Sequence, residues 1–170
     1  VADTVISTLS DFAKLPVPQQ VEMSLDQCLD EALAIDAPRS DIELHWDRST
    51  AAAKVLGDPR QLRIVFGNLI RNAQEAMPQG GKLGILVEHN SRHVRVSISD
   101  TGVGIDADNL RRLTEPFFTT KARGIGLGLA LARSIVDKNQ GTLSVNSQPG
   151  QGSTFMVELL AAVPESGIPR

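Results

Sequence analysis

Asp100-Thr101-Gly102-Val103-Gly104-Ile105 decides the reading of this chain. It follows an alternating run, Val94 to Ser99, whose inward members are Val94, Val96 and Ile98. Such alternation predicts a half-buried strand, and a carboxylate at the end of that strand is partly buried. A buried ionised carboxylate needs hydrogen-bond donors. An adenine exocyclic amine is one such donor, and Gly102 lets a flat ring approach the backbone. A turn aspartate ahead of a glycine-rich loop is the plainer reading of the same residues.

Working outward, Leu83 to His89 alternates in the same way, and Asn90-Ser91-Arg92 joins it to Val94–Ser99 as an antiparallel hairpin. Upstream, Asp58-Pro59 reads as an N-cap with proline at the first helical position. The helix it opens runs to about Met77. Its stripe is Leu62, Val65, Phe66, Leu69, Ile70, Ala73 and Met77. Downstream, Asp106 to Leu113 predicts a short helix, Thr114 to Gly124 a loop, and Gly126 to Asn139 another helix. Gly141–Gln148 and Ser153–Leu160 predict a closing hairpin. Near the start, Val5, Ile6, Leu9 and Phe12 keep helical spacing until Pro16 and Pro18 stop it. Leu25 to Ala37 is a second helix, and Ile42–Trp46 and Ala53–Leu56 are short strands. Helices and hairpins in this order predict an α+β fold: a mixed, mostly antiparallel sheet with helices on one face.

A chain of 170 residues with 41% apolar and 22% charged residues suits one globular domain. A net charge of -3 without a long basic run argues against nucleic acid as the main partner. The single Cys28 excludes an internal disulfide and a cysteine-based zinc site, and reads as a small buried hydrophobe. His45, His89 and His93 have no partner at metal-ligand spacing and read as surface or edge residues. No apolar run approaches the roughly 18 residues that span a bilayer. The chain opens at Val1 inside an amphipathic pattern and reads as a piece of a longer protein.

Two further clusters accompany Asp100. Asn68 and Asn72 are four apart and share one face of the long helix. An amide buried there without a partner costs about 1–3 kcal/mol. An Asn carbonyl is a hard oxygen ligand that suits Mg²⁺ bridging phosphates, and surface amides are the alternative. Glu75 can approach that metal or be solvated. Gly124, Gly126 and Gly128 precede a helix whose first N–H groups can hold phosphates, although such glycines also serve turns. Lys121 and Arg123, in the loop before them, can close over terminal phosphates or simply be solvated. Phe117 and Phe118 beside them suggest a hydrophobic latch or docking surface.

Taken together these residues resemble the ATP-binding catalytic domain of bacterial sensor histidine kinases, within the gyrase–Hsp90–kinase–MutL superfamily. Asn68 to Ala73 resembles the N box, Asp100 to Gly104 the G1 box, Glu115 to Lys121 the F box, and Gly124 to Leu129 the G2 box. Gly150 to Phe155 resembles the last glycine motif. The wording Pro116-Phe117-Phe118-Thr119-Thr120-Lys121 is similar to the nitrogen-regulator type. The resemblance implies a Bergerat-type α/β sandwich that binds ATP and Mg²⁺ under a lid over about 107–124. It implies that 1–18 ends a dimerisation helix and linker, 19–161 is the catalytic domain, and 162–170 is a flexible tail. Asp100 would bind the adenine amine, Asn72 would ligate Mg²⁺, Asn68 would lie near the phosphates, and Lys121 or Arg123 would meet the γ-phosphate. Gly102, Gly104, Ile105, Gly124, Gly126, Leu127, Gly128, Leu129 and Thr154 complete the implied nucleotide site.

The implied reaction moves the γ-phosphoryl of ATP to a histidine on dimerisation helices outside this sequence, and from there to a response regulator. The chain is then a cytoplasmic, monomeric domain of a parent that can be membrane-anchored. Ile125 stands where the G2 box usually has Thr, and Glu75 where many relatives carry a base. A degenerate nucleotide-binding module and an ATP hydrolase are the alternatives. Hydrolases of the superfamily place Glu where this chain has Asn68, and a neutral amide accepts no proton at pH 7.

Overall fold

The computed structural model describes residues 13–48, 53–116, 118–119 and 126–162, together with Ile6 and Ser10. Val5, Leu9 and Phe12 of the expected first helix lie outside the described residues, as do Phe117, Lys121, Arg123, Gly124, Ile125 and the tail from 163. In chain order the elements are β1 (Val21–Ser24), α1 (Leu25–Ile35), β2 (Ile42–Trp46), β3 (Lys54–Gly57), α2 (Pro59–Glu75), β4 (Gly81–His89) and β5 (His93–Asp100). They continue with α3 (Ala107–Arg112), α4 (Gly128–Lys138), β6 (Thr142–Ser147) and β7 (Ser153–Leu160).

The local chemistry explains these boundaries. The Asp58 carboxylate accepts from the N–H groups of Arg60 (3.0 Å) and Gln61 (3.3 Å), so α2 starts where the sequence expects. Ser24 caps α1 by accepting from the Gln27 N–H. Leu62, Val65, Phe66, Leu69 and Ile70 are fully buried along one stripe of α2. In β5, Val94, Val96, Ile98 and Asp100 are buried in strict alternation.

Five strands form one sheet in the order β2-β4-β5-β7-β6. Only β2 and β4 pair in parallel; the other neighbours are antiparallel. A separate antiparallel pair joins β1 to β3. The inner face of the sheet meets α1, α2 and α4 around a single core. The outer face is open, with Leu86 exposed and Arg95 bonded to Glu158 at 3.0 Å. This is the expected mixed, mostly antiparallel sheet with helices on one side.

A buried polar chain closes the end of the α2–α4 pair that begins at Asp58. Asn139 Oδ1 accepts from the Asp58 N–H at 2.8 Å, and its Nδ2 donates to Gln61 Oε1 (3.0 Å) and the Ile135 carbonyl (2.9 Å). Gln61 Nε2 in turn donates to the Pro16 carbonyl at 2.8 Å, and the Gln19 N–H donates to Asp58 Oδ2 at 2.9 Å. The segment before β1 is therefore tied to the bases of both helices.

Cys28 is buried on α1, as expected. Burial, seconded by the charge of Glu31 and opposed by Arg63, pushes its thiol up to about 12. The thiolate is the reactive form. Native protein at pH 8 should therefore react with a thiol reagent at least about a hundredfold more slowly than the urea-unfolded chain. Absorbance during labelling measures both rates, and equal rates would mean that α1 opens readily.

Candidate functional site

The end of β5 positions Asp100 beside α2. Asp100 is 6% exposed, and its carboxylate accepts from the Gly102 N–H at 2.8 Å and from the Ser153 backbone N–H. Burial pushes its pKa above the ordinary carboxylate value, and the two N–H bonds pull it partly back. Two backbone donors occupy part of the four lone-pair sites of a carboxylate, which leaves acceptor capacity for a ligand donor.

The loop after Asp100 is tightly held. The Val103 N–H donates to the Ala76 carbonyl at the end of α2, and the Gly150 N–H to the Val103 carbonyl. A Cβ at Gly102 would collide with that same Ala76 carbonyl, so glycine is required by the chain's own packing as well as by any ring that approaches. Gly104 is left-handed, at φ +71°. Ile105 leans on the core, and its N–H donates to Ser147 Oγ at 2.8 Å. Ser147 Oγ also bonds the Gly152 carbonyl (2.8 Å) and Ser153 Oγ (2.9 Å). Ser147 has one proton. With it directed to Gly152, the Ser153 hydroxyl is the donor in the last bond.

Thr154 does not share a face of the sheet with Asp100. Asp100 pairs with Ser153, and Thr154 pairs with Ser99. Successive strand residues face opposite sides, so Thr154 lies on the open face and Ser153, 5% exposed, stands on the face of Asp100. The alternation Phe155, Val157, Leu159 carries this phase in the sequence, and counting back two from Phe155 reaches Ser153.

On α2, Asn68 and Asn72 are both half-buried. Asn68 Oδ1 accepts from Arg71 Nη1 at 3.3 Å, while Asn68 Nδ2 is buried with no hydrogen-bond partner among the described residues. Gly128, the first residue of α4, faces this amide: a Cβ there would lie 3.4 Å from Asn68 Oδ1. Among the described residues no side chain caps the start of α4, so none of them offers its first N–H groups a capping acceptor. The Asn68 amide thus lies beside the start of α4, with its oxygen the atom nearest Gly128, and the orphaned Nδ2 and the helix N–H groups are donors of the kind a phosphate oxygen satisfies. Gly126 is left-handed at φ +73° in the approach to this turn. Leu127 is buried, and Leu129 packs on the core, so what these two can offer a ligand is backbone. Lys121, Arg123 and Gly124 lie outside the described residues.

Among the described residues no group of three His, Cys, Asp or Glu side chains can hold a metal. A magnesium ion here would thus depend on the Asn72 carbonyl and on phosphate oxygens, a donor set that fits its preference for few protein ligands. His45 and His89 are exposed, and His93 is half-buried at the start of β5. Glu75 is exposed at the end of α2. A concavity of ≈ 430 Å³ lined by Trp46, Gly84, Leu86 and Ser99 opens at the outer side of the sheet. It lacks a helix N-terminus and an orphaned donor, so the site is assigned to the Asp100–Asn68–Gly128 side on chemical grounds. Among the described residues no helix is long and apolar enough to cross a membrane.

The family model for histidine kinase-, DNA gyrase B- and HSP90-like ATPases matches residues 57–163. Over 160 residues the chain is 34% identical to sporulation kinase E of Bacillus subtilis (strain 168), covering 90% of this chain and 22% of that protein. The chain thus spans about a fifth of that relative's length. Full-length ShkA in complex with AMPPNP superposes at a TM-score of 0.79 with 26% identity, covering 98% of this chain and 38% of that one. Histidine kinase ThkA in complex with response regulator protein TrrA gives a TM-score of 0.79 with 25% identity, covering 95% and 47%.

Proposed function

Because this chain belongs to the histidine kinase-, DNA gyrase B- and HSP90-like ATPase family, we propose that it is the catalytic domain of a sensor histidine kinase. It binds ATP between the end of β5, the Asn68–Asn72 face of α2 and the start of α4. The γ-phosphoryl then passes to a histidine on dimerisation helices of the parent protein, and onward to a response regulator. The observation that carries this reading is the Asn68 amide, its Nδ2 orphaned among the described residues, beside the start of α4, with the buried acceptor Asp100 on the same side of the sheet.

The roles follow from the chemistry. Asp100 accepts from the adenine amine while its other lone pairs stay on the Gly102 and Ser153 N–H groups. Ser153, fixed by Ser147, supports the strand end from beneath the base. Asn68 Nδ2 donates to a phosphate oxygen, and the first N–H groups of α4 add to it. Asn72 Oδ1 is the protein ligand for Mg²⁺, which when bound neutralises charge on the transferring phosphoryl. Lys121 or Arg123 meets the γ-phosphate. No group here needs to activate water, since an acceptor imidazole is itself the nucleophile, and the amide of Asn68 is a poor base. This favours transfer over hydrolysis. The domain works in the cytoplasm, where ATP is, whether or not its parent is anchored.

Calorimetric titration with AMPPNP, with and without Mg²⁺, tests binding. Saturable binding that Mg²⁺ tightens is expected, and Asn72→Ala should remove at least about tenfold of that Mg²⁺ effect. Radiolabel from γ-labelled ATP should then appear on the separately prepared dimerisation segment of the parent. Absence of binding would overturn the nucleotide site. Binding without transfer would make this a nucleotide-sensing module.

A further inference from the structure

Between the two amides of α2 stands Arg71, a residue the nucleotide reading does not use. Its guanidinium forms a two-pronged bond with Asp36: Nε lies 3.1 Å from Oδ1 and Nη2 3.1 Å from Oδ2. The remaining arm, Nη1, reaches Asn68 Oδ1 at 3.3 Å. Asp36 is the C-cap of α1, so the clamp joins two helices. Its carboxylate can come this close because residue 67 is glycine: a Cβ there would lie 2.9 Å from Asp36 Oδ2. Gly67, Asp36 and Arg71 form one device whose free end touches the side chain that faces α4.

An Asn amide has two faces that exchange on a half-turn, and its density of donors and acceptors is opposite on each. A guanidinium offers donors only. Beside Arg71, therefore, only Oδ1 can face inward to the guanidinium, and Nδ2 is forced to the other side. There it is buried without a partner among the described residues. A donor left unsatisfied in the free protein calls for an explanation, and a ligand oxygen supplies one.

We propose that Arg71, clamped by Asp36, is a positioning residue that fixes the Asn68 amide so that its Nδ2–H is held as a donor for the nucleotide phosphates. The inference rests on the nucleotide reading of the site. A purely structural role is distinguishable, because the Arg71–Asp36 pair is partly exposed and such pairs add little to stability.

Arg71→Met keeps the length of the stem and removes every donor. Measured by calorimetry in Mg²⁺, this variant should bind AMPPNP about tenfold more weakly, as expected for one mispositioned hydrogen bond to a charged group. Adenosine, which lacks phosphates, should bind within about twofold of the parent. In an Asn68→Ala background, Arg71→Met should add less than about twofold, since the side chain it orients is gone. In the nucleotide-free protein, the side-chain amide resonances of Asn68 should move on Arg71→Met. Additive losses, an equal loss of adenosine affinity, unchanged AMPPNP affinity or unmoved Asn68 resonances would each overturn the proposal. A parent chain that binds neither ligand would instead overturn the nucleotide reading, and the Asn68 resonances would then decide the Arg71 contact alone.

Discussion

Asp100→Asn should lower AMPPNP affinity by about a hundredfold in calorimetric titration. The magnitude follows from what the substitution does to the lone pairs. Two carboxylate sites are occupied by the Gly102 and Ser153 N–H groups, and in the proposed site the ligand amine would take another. In Asn one oxygen becomes an NH₂, which must face either a backbone N–H or the adenine amine. Either way one bond to a charged acceptor is lost and one donor is left facing a donor, together about 3 kcal/mol. A loss below about threefold would remove Asp100 from the base-reading role.

The same residue predicts the pH behaviour of the fold. Its folded pKa lies above the ordinary value of 3.8 because burial disfavours the charge. Between those two values the native state binds more protons than the unfolded chain, so stability from this group falls as pH rises through the window. Urea midpoints of the parent should include that decline, and Asp100→Asn should lack it. Nucleotide affinity should run the other way. It weakens as pH is lowered through the raised pKa, because a neutral carboxyl has given up an acceptor site.

Asn139→Ala should destabilise the domain by about 3 kcal/mol, read as a lower urea midpoint at unchanged slope. Asn139 is fully buried, and it holds the Asp58 N–H, Gln61 Oε1 and the Ile135 carbonyl in three bonds. Alanine leaves the Asp58 N–H and Gln61 Oε1 unsatisfied among side chains that exclude water. Domains of this size are stable by only about 5–15 kcal/mol, so one amide carries a large share. The effect should extend to the segment before β1, because Gln61 also holds the Pro16 carbonyl. Faster amide exchange near Gln19 in the variant would report it. A midpoint within about 0.5 kcal/mol of the parent would mean that water enters and replaces the amide.

What could be read from sequence was what is set by near neighbours. Asp58-Pro59 fixed the start of α2 because a cap and a proline act within one turn, and the stripe from Leu62 to Ala73 gave its buried face. The β4–β5 hairpin was legible from two matched alternations. The parallel pairing of β2 with β4 and the central pairing of β5 with β7 were not, because residues that meet there are far apart in sequence. The site divides along the same line. Asp100 announced itself by strand and glycines together. Ser153, and not Thr154, shares the face of Asp100, a one-residue phase that the apolar alternation of β7 carries. The Asp36–Arg71 clamp had no local signal, since it depends on α1 meeting α2 over the bare backbone of Gly67.

The strand order also governs how the chain reaches this state. β4 with β5 and β6 with β7 are hairpins that close over short loops. Joining the two requires β5 to find β7, with Asp100 meeting Ser153 and His93 meeting Leu160. Closing so long a loop takes its entropy cost before the contacts form, which makes a domain of this topology fold more slowly than a helical bundle. The pairing that ends that search is also the one that sets Ser153 beneath Asp100. Nucleotide can therefore bind only after the slow step, and it acts as a trap for the finished fold: it should slow unfolding and leave the folding rate unchanged.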